Sequence, residues 1–570
     1  MQNFTSVIRN LHLKQLCCAL GCLFIISTCK AQGPVNKTFT HADTLRGSIT
    51  PERAWWDILR YDIAVKPDYI SKTISGSSTI TYKVVSDNKG QQMQIDLQEP
   101  LIIDSVLYNS SAQLSFTKEG NAWHVKVPDQ QKASDGQVTV FYHGQVKEST
   151  RPPWSAGWTF TQDSLGRPWM TVTCQGGGAS VWYPCKDHQS DEPDNGASLT
   201  ITVPDTLVAV ANGRLQSKKV NGDGSATYKW AVANPISTYC IIPYIGKYVN
   251  FSEKYNGEKG PLDLNYWVLD YNLQRAKGYM PPQVHNMLES LEHWFGPYPF
   301  YEDGYQLIET SHSGMEHQSA VSYGNGYAFG YRGRDGSGTG WGMKWDFIII
   351  HESGHEWFGN NITTKDLADM YVHEGFTNYS ETLFIDYIFG KDAADAYNAG
   401  IRRGIRNDRP IIAHYDVNDQ GSGDMYPKAS NMLHAIRHGL DNDELFRQIL
   451  RGLNKDFYHQ TVTSRQVEDY ISEKTKHNYS KVFDQYLRTT RIPQLQLRWD
   501  KNKTKVSYRW SNCVKGFDMP LVLQNDKAKV KIVPTEQWQQ LTLKANEAPL
   551  FDTSAIVKMY YVTTALVNQL

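Results

Sequence analysis

Residues 351–381 read HESGHEWFGNNITTKDLADMYVHEGFTNYSE, and this stretch decides how the chain is interpreted. His351 and His355 are four residues apart, so on an α-helix their imidazoles project from one face and can bind the same metal ion. Glu374 follows nineteen residues later and offers a carboxylate as third ligand. Three protein ligands leave a fourth coordination position for water, as hydrolytic zinc sites require. The pattern therefore predicts one Zn²⁺ per chain, bound by His351, His355 and Glu374.

Glu352 lies between the two histidines, on the flank of the same helix face, where its carboxylate can reach a metal-bound water. It is the candidate general base. The apolar residues 347–350 and 357–358 predict a buried helix that ends at residues 359–361. A second helix, predicted from about residue 366 to 389, carries Glu374 and, seven residues later, Glu381. The Glu381 carboxylate either supports a metal ligand from behind or lies exposed on the helix surface.

The stretch resembles the zinc aminopeptidase family of aminopeptidase N and leukotriene hydrolase, the gluzincin aminopeptidases. A second match lies upstream, where Gly314, Met315, Glu316 and His317 resemble the Gly-Met-Glu-Asn motif of that family. The resemblance implies that Gly314, Met315 and Glu316 belong to the substrate-binding site, with Glu316 binding the free α-ammonium group. Such a group gains a charge-assisted hydrogen bond that an internal amide cannot make. His317 stands where most members have Asn.

Two further segments match the family. Residues 173–179 read TCQGGGA, and the resemblance implies that Gln175 lies near the substrate amine; a glycine-rich turn between strands is the alternative. Residues 426–429 read YPKA and resemble the Tyr-x-Lys-Gly segment. The resemblance implies that the Tyr426 phenol donates a hydrogen bond to the oxyanion of the tetrahedral intermediate.

Together these matches imply a zinc-dependent aminopeptidase that hydrolyses the N-terminal bond of peptides with a free N-terminus, through a zinc-bound water. Glu352 would act as general base, Tyr426 would stabilise the oxyanion, and Glu316 would bind the α-amino group. A zinc endopeptidase of thermolysin type would share the metal site but would lack the ammonium anchor. A non-catalytic relative that keeps only the fold is a further alternative, and an epoxide hydrolase activity remains open.

Composition excludes other partner classes. Basic and acidic residues number 58 and 59, the net charge is -1, and no dense Lys/Arg block follows residue 31, which argues against nucleic acid as a partner. No stretch after residue 31 is apolar over the length of a transmembrane helix. Four cysteines follow residue 31, which allows three full pairings, and nothing in the sequence chooses among them or indicates an oligomeric state.

Residues 1–31 have the three-part pattern of a secretory signal. Arg9 and Lys14 precede an apolar core at residues 16–26, and small residues lead to Ala31. We therefore expect an exported protein, periplasmic or extracellular. Lipidation at Cys29 is an alternative that would anchor the chain to a membrane.

The predicted fold is multidomain, with both α and β structure. Alternating residues such as 78–84 and 198–203 predict an N-terminal antiparallel β domain over residues 45–249. Residues 250–492 are predicted to hold the catalytic domain, including a helix from Pro282 to Phe295, and the resemblance implies a thermolysin-like α/β domain with the zinc-binding helices. Alternation returns after Pro493 and predicts a small β-sandwich-like domain over residues 493–570.

Overall fold

The computed structural model describes residues 37–544 and 546–567, and residues 56–246 are rich in strands. Along the first strand, buried positions alternate with partly exposed ones, which is the period-two pattern of a sheet with one face on a core. The helices and strands of this region are α1 (His41–Gly47), α2 (Pro51–Ala54), β1 (Trp56–Asp68), β2 (Thr73–Val84), β3 (Met93–Asp96), β4 (Ile102–Tyr108), β5 (Ala112–Leu114), β6 (Phe116–Glu119), β7 (Ala122–Val125), β8 (Asp135–Gln145), β9 (Gly157–Gln162), β10 (Pro168–Thr173), β11 (Ala197–Pro204), β12 (Val208–Val210), β13 (Arg214–Val220), β14 (Ser225–Val232) and β15 (Tyr244–Gly246).

An eight-stranded sheet dominates this region, with the order β13-β14-β11-β1-β2-β8-β4-β5. Its neighbours pair antiparallel except for β1 and β11, which run parallel. A four-stranded sheet, β12-β15-β10-β9, and a three-stranded sheet, β3-β7-β6, complete the region. The predicted N-terminal β fold is confirmed, with one parallel pair that the prediction lacked. Strand β10 ends at Thr173, so the loop that carries Gln175 leaves directly from this sheet.

The next region combines a mixed sheet with most of the helices. Its five-stranded sheet has the order β16-β17-β18-β20-β19, in which β17, β18 and β20 are parallel neighbours. The elements are β16 (Tyr248–Gly257), β17 (Gly260–Leu269), α3 (Leu273–Phe295), β18 (Tyr305–Glu309), β19 (Gly314–Met315), β20 (Val321–Tyr323), α4 (Phe347–Gly354), β21 (Ile362–Thr364), α5 (Tyr371–Phe389), α6 (Lys391–Ile401), α7 (Pro427–Leu440), α8 (Asp443–Asp456), β22 (Gln460–Val462), α9 (Ser464–Thr475) and α10 (Ser480–Arg488). The predicted α/β fold of this region is confirmed.

Both helices around the histidine motif are shorter than predicted. Helix α4 ends at Gly354, and the following residues make tighter i to i−3 hydrogen bonds, from Glu356 N–H to Ser353 O and from Trp357 N–H to Gly354 O. His355 keeps helical angles (φ −64°, ψ −19°), so its side chain stays on the face of His351. Helix α5 starts at Tyr371 because a separate 3₁₀ turn, capped by the Asp366 carboxylate, precedes it.

Helix α3 begins at Leu273, nine residues before the predicted start at Pro282. Two prolines inside a helix each remove one backbone donor, and this made Pro282 the expected first residue. The apolar face nevertheless continues through them, and its fully buried members are Ala276, Met280, Val284, Met287, Leu288 and Leu291. The free energy gained by burying this apolar face outweighs the free energy lost with the missing backbone hydrogen bonds.

The C-terminal region is a small β element. A four-stranded sheet with the order β27-β24-β23-β28 is accompanied by the hairpin β25-β26. Its elements are β23 (Gln494–Trp499), β24 (Lys505–Ser511), β25 (Leu521–Asn525), β26 (Ala528–Ile532), β27 (Gln539–Thr542), α11 (Thr553–Met559) and β28 (Thr563–Leu566). Its buried residues share one apolar core with the helices of the preceding region. From Phe39 onward the chain forms one compact unit, and the boundaries at residues 249 and 492 remain predictions.

Several expectations concern the chain ends and the cysteines. The predicted signal segment 1–31, with the alternative anchor Cys29, lies outside the described residues, so export remains a prediction. Within residues 37–544 and 546–567, no helix is both long and apolar enough to cross a membrane. The remaining cysteines, Cys174, Cys185, Cys240 and Cys513, are free thiols.

Asp346 holds the start of helix α4 in place. It is fully buried, and its Oδ1 accepts hydrogen bonds from Ile349 N–H (3.1 Å) and Asn325 Nδ2 (3.0 Å). Its Oδ2 accepts from the phenols of Tyr323 (2.9 Å) and Tyr279 (3.0 Å). One carboxylate therefore caps the helix that carries the histidines and also satisfies two tyrosines.

We expect Asp346→Ala to lower the free energy of unfolding by about 3 kcal/mol, since it removes a helix cap and leaves buried phenols without an acceptor. Asn442→Ala is the matched control, because exposed Asn442 caps α8 through Leu445 N–H alone, and it should cost only about 1 kcal/mol. Urea unfolding followed by tryptophan fluorescence measures both. Equal losses would contradict the role of Asp346 as a shared acceptor.

Candidate metal centre

Helices α4 and α5 bring the three predicted metal ligands together. The ligand atoms of His351, His355 and Glu374 lie within 4.8 Å of one another, and all three residues are buried. Glu374 Oε2 lies 3.3 Å from His355 Nε2 and 3.9 Å from His351 Nε2. The two helices approach closely at Gly354, where a Cβ atom would lie 2.6 Å from Ser380 Oγ.

The hydrogen bonds behind the ligands turn their Nε2 atoms inward. His355 Nδ1 donates to the carbonyl oxygen of Phe358 (3.0 Å), and His351 Nδ1 lies 2.7 Å from Glu381 Oε1. With Nδ1 protonated in each ring, the Nε2 lone pairs point toward Glu374. Glu374 Oε2 is buried and accepts no hydrogen bond. Two lone pairs and an unsatisfied carboxylate oxygen fit a divalent metal ion with an open fourth position.

The electrostatics of the site also favour a cation. Burial alone would lower the pKa of His355, but Glu374, Glu316 and Glu352 raise it to about 9. Burial alone would raise the pKa of Glu374, but the neighbouring His355 lowers it to about 2. Positive charge is thus stabilised at the point where the three carboxylates meet.

Glu352 lies beside the three ligands without belonging to them. Burial raises its pKa to about 7; the nearby His351 opposes that shift and Glu316 adds to it. The strand β19 passes directly in front of it, because a Cβ atom at Gly314 would lie 2.7 Å from Glu352 Oε1. The absence of a side chain at Gly314 therefore lets strand β19 contact the candidate base.

Glu316 is brought to the same centre from strand β19. It is 2% exposed, and its carboxylate, that of Glu352 and the His355 ring have ligand atoms within 4.8 Å of one another. Its Oε1 accepts hydrogen bonds from Gln175 Nε2 (2.8 Å) and the Tyr239 phenol (3.1 Å). Gln175 Nε2 also lies 3.0 Å from Glu374 Oε1. The glycine-rich turn after β10 thus places the side-chain amide of Gln175 between the carboxylates of Glu316 and Glu374.

Tyr426 completes the centre from the residue before helix α7. Its ring lies nearly parallel to that of His351, with the centroids 6.0 Å apart. Burial and the Glu374 carboxylate raise the pKa of Tyr426 well above its usual value, so the phenol stays protonated and can donate. Tyr426 and Gln175 line a cavity of about 580 Å³.

Two residues of the predicted motif point elsewhere. Met315 is 2% exposed and packs in the apolar core of the N-terminal region. His317 is fully buried, with Nδ1 2.5 Å from the Tyr244 phenol and 3.2 Å from Ser322 Oγ. Both fix the loop that presents Glu316.

Sequence reasoning missed three residues that hold the centre. Tyr239 donates to Glu316, Asn360 Nδ2 donates to the Glu316 carbonyl oxygen (2.9 Å), and the Tyr397 phenol donates to Glu381 Oε2 (2.5 Å). Of these three, only Asn360 lies inside residues 351–381, so only Asn360 could have been identified from the sequence motif. Glu381 is fully buried, so its alternative placement on the exposed helix surface is wrong.

Sequence comparison assigns the chain to a family. The model of the peptidase M1 N-terminal domain matches residues 58–240, and that of the peptidase family M1 domain matches residues 284–486. The chain belongs to peptidase family M1. Both matched segments contribute to the centre, because the first contains Gln175 and Tyr239 and the second contains the histidine motif.

Similar proteins include several aminopeptidases. Leucine aminopeptidase 2 of Vanderwaltozyma polyspora is 25% identical over 56% of this M1 chain and 43% of its own length. Endoplasmic reticulum aminopeptidase 1 of Homo sapiens is 23% identical over 57% of this chain and 34% of its own length. Aminopeptidase N of Canis lupus familiaris is 26% identical over 40% of this chain and 23% of its own length. The chain thus spans less than half the length of these relatives.

Solved structures support the fold of the M1 chain. The M1 zinc metallopeptidase from Deinococcus radiodurans superposes with a TM-score of 0.65 at 20% identity, covering 78% of this chain and 97% of that one. A mutant of a two-domain M1 zinc metallopeptidase bound to L-arginine gives a TM-score of 0.62, also at 20% identity, covering 76% of this chain and 95% of that one. The N-terminal β region and the α/β region therefore have the arrangement of an M1 fold.

We expect Glu381→Ala to weaken metal binding by this M1 chain about 10- to 100-fold, because His351 loses the carboxylate that fixes its ring. Competition with a chromogenic chelator, using zinc added to metal-free protein, measures the affinity. Glu289→Ala is the control, since Glu289 bonds only to the Tyr387 phenol on the surface. Unchanged affinity in Glu381→Ala would show that the His351–Glu381 contact does not orient the ligand.

Proposed function

We propose that the protein is a zinc-dependent aminopeptidase that hydrolyses the N-terminal bond of peptides. The observation that carries the proposal is Glu316, a buried carboxylate that lies against the metal ligands without being one of them. A carboxylate in such a place is stabilised by a cation, and a free α-ammonium group is the cation that a peptide can bring. The names of the curated relatives given above support the same activity.

The proposed zinc would be held by His351, His355 and Glu374. Zinc in such a site acts as a Lewis acid, which polarises a substrate carbonyl and lowers the pKa of a water molecule. Glu381, through His351, and the Phe358 carbonyl, through His355, keep both rings in the orientation that this binding requires.

Glu352 is the proposed general base. It takes a proton from the attacking water and passes it to the leaving amine. Its burial supports this role, because a carboxylate whose pKa is raised to about 7 can both accept and release a proton near neutral pH. Gly314 keeps the space in front of this carboxylate free of a side chain.

Tyr426 is the proposed donor to the oxyanion. The phenol remains protonated at neutral pH and adjoins both His351 and Glu374. A donor placed at a developing oxyanion typically contributes about 2.7–4 kcal/mol to lowering the barrier.

The α-ammonium group would be held by Glu316 together with Gln175. Gln175 directs its amide nitrogen at Glu316 and Glu374, which leaves its amide oxygen as an acceptor for an ammonium N–H. Tyr239 keeps the Glu316 carboxylate in place from the other side. This arrangement fixes the first residue of the substrate and favours release of one amino acid at a time.

We expect aminoacyl arylamides with a free amine to be cleaved and their N-acetylated forms to be inert, because only the free amine pairs with Glu316. Glu316→Gln should lower kcat/KM on the free-amine substrate about 10- to 100-fold, the cost of one charge-assisted hydrogen bond. Release of the chromogenic amine measures both. Glu289→Gln, on the exposed face of α3, is the control. Similar rates on free and acetylated substrates would favour an endopeptidase of thermolysin type.

We expect Glu352→Gln to keep its metal but to lower kcat about 10²- to 10⁴-fold, since the substitution removes the proton acceptor and leaves the three ligands intact. Metal analysis and single-turnover kinetics on the same sample measure the two effects. Chelation should abolish activity in the wild-type protein, and added zinc should restore it. A wild-type protein that holds zinc without cleaving any aminoacyl substrate would instead indicate a non-catalytic scaffold.

A further inference from the structure

A second group of metal-ligating side chains lies outside the centre described above. Asp395 of helix α6 meets His434 and His438 of helix α7. Asp395 Oδ1 lies 3.0 Å from His438 Nε2 and 3.2 Å from His434 Nε2, and the two Nε2 atoms are 3.1 Å apart. This group, called here the His434 cluster, shares no residue with the first centre.

The sequence spacing of the His434 cluster repeats that of the first centre. His434 and His438 are four residues apart on one helix, so both rings project from the same face, and a carboxylate from a neighbouring helix completes the set. Helices α6 and α7 are joined beside the cluster by a hydrogen bond from Asn398 Nδ2 to Ser430 Oγ (3.1 Å). This side-chain hydrogen bond ties the two helices together beside the three ligating side chains.

The three ligand atoms form a nearly equilateral triangle. Hydrogen bonds from both rings to Asp395 Oδ1 would satisfy two edges of this triangle but leave two N–H groups 3.1 Å apart, whereas a cation at its centre contacts all three atoms. Ligands placed 2.0–2.2 Å from a tetrahedral zinc ion lie about 3.3–3.6 Å apart, so the observed triangle needs to open by only a few tenths of an ångström. In the first centre, Glu374 Oε2 lies 3.3 Å from His355 Nε2 and 3.9 Å from His351 Nε2.

The surroundings of the His434 cluster suit a bound ion. His434 is fully buried, and its Nδ1 lies 3.2 Å from the Tyr379 phenol, which fixes the ring with Nε2 toward Asp395. Asp395 and His438, with side chains 9% and 10% exposed, line a cavity of about 430 Å³ bounded on its other side by Tyr560. The cavity leaves room for a water molecule as fourth ligand.

Two of the cations around the His434 cluster are paired with other carboxylates. Arg437 binds Asp386 (2.5 Å) and Asp443 (2.8 Å), and Lys391 binds Asp443 (2.9 Å). Their charge is therefore largely compensated by carboxylates other than Asp395. Arg402, which hydrogen-bonds Asn431 and the Tyr560 carbonyl oxygen, adds a longer-range attraction to Asp395, so the two imidazoles are the direct partners of this carboxylate.

We propose that Asp395, His434 and His438 bind a second divalent metal ion of the zinc type, whose role is structural. The ion would tie helix α6 to helix α7 where both face the C-terminal β element. These helices also support the first centre, because Tyr397 of α6 donates to Glu381 and Tyr426 directly precedes α7. A metal at the His434 cluster would thereby stabilise the wall behind the first centre without touching the substrate.

Metal analysis of the full chain tests the proposal. After loading with zinc and removal of the excess, the wild-type protein should hold about two zinc ions per chain, one for each three-ligand site. His438→Gln should hold about one, and so should the double variant His351→Gln/His355→Gln, in which only the His434 cluster remains. His285→Gln is the control, because this exposed histidine pairs with Glu253 away from both sites, and it should keep two.

The double variant His351→Gln/His355→Gln tests zinc binding at the His434 cluster even if His438→Gln fails to fold. Circular dichroism first shows that the double variant is folded, and zinc should then raise its melting temperature, since an ion that binds only the folded state stabilises it. The same titration on a variant that also carries Asp395→Asn should show no rise. A double variant that binds no zinc and melts at the same temperature with and without it would overturn the proposal. Neither readout depends on peptidase activity.

Discussion

Burial of negative charge is the constraint on which the rest of the structure depends. Four carboxylates, those of Glu316, Glu352, Glu374 and Glu381, are buried around two imidazoles. Buried carboxylates destabilise a fold unless each finds a cation or a hydrogen-bond donor. Glu381 has His351 and Tyr397, and Glu316 has Gln175 and Tyr239, which leaves Glu374 Oε2 for a metal ion. A divalent cation bound at Glu374 would offset part of this buried negative charge.

The residues that meet at this centre come from distant parts of the chain. Gln175 follows the end of a strand in the N-terminal β region, whereas Glu316 directly follows an edge strand of the mixed sheet and Glu374 lies on a helix. The contacts of Gln175 span 141 and 199 residues of sequence. The N-terminal region therefore contributes a side chain to the centre, and the four-stranded sheet that contains β10 supports the loop that carries it.

Much of the centre could be predicted, because its key spacings are local. An i, i+4 pair on a helix projects from one face whatever the surrounding fold, so His351 and His355 could be paired from sequence, and the family motifs led to Glu316, Gln175 and Tyr426. The start of helix α3 and the end of helix α4 were predicted wrongly. Burial of its apolar face extends α3 upstream of Pro282, and the tighter turn after Gly354 ends α4 before residues 359–361. Tyr239 and Tyr397 reach the centre only through tertiary contacts. His434 and His438 carried the same spacing as the first pair, but their carboxylate partner lies on another helix and has no motif of its own.

The unpaired thiols affect how the chain can be handled. Burial raises the pKa of Cys174, Cys185 and Cys240 well above the usual value, so these sulfurs stay neutral and react slowly with oxidants and alkylating agents. With no covalent crosslink among the four, folding requires neither an oxidant nor an isomerase. Production in a reducing host compartment, and storage with thiol reductants, should leave the architecture intact.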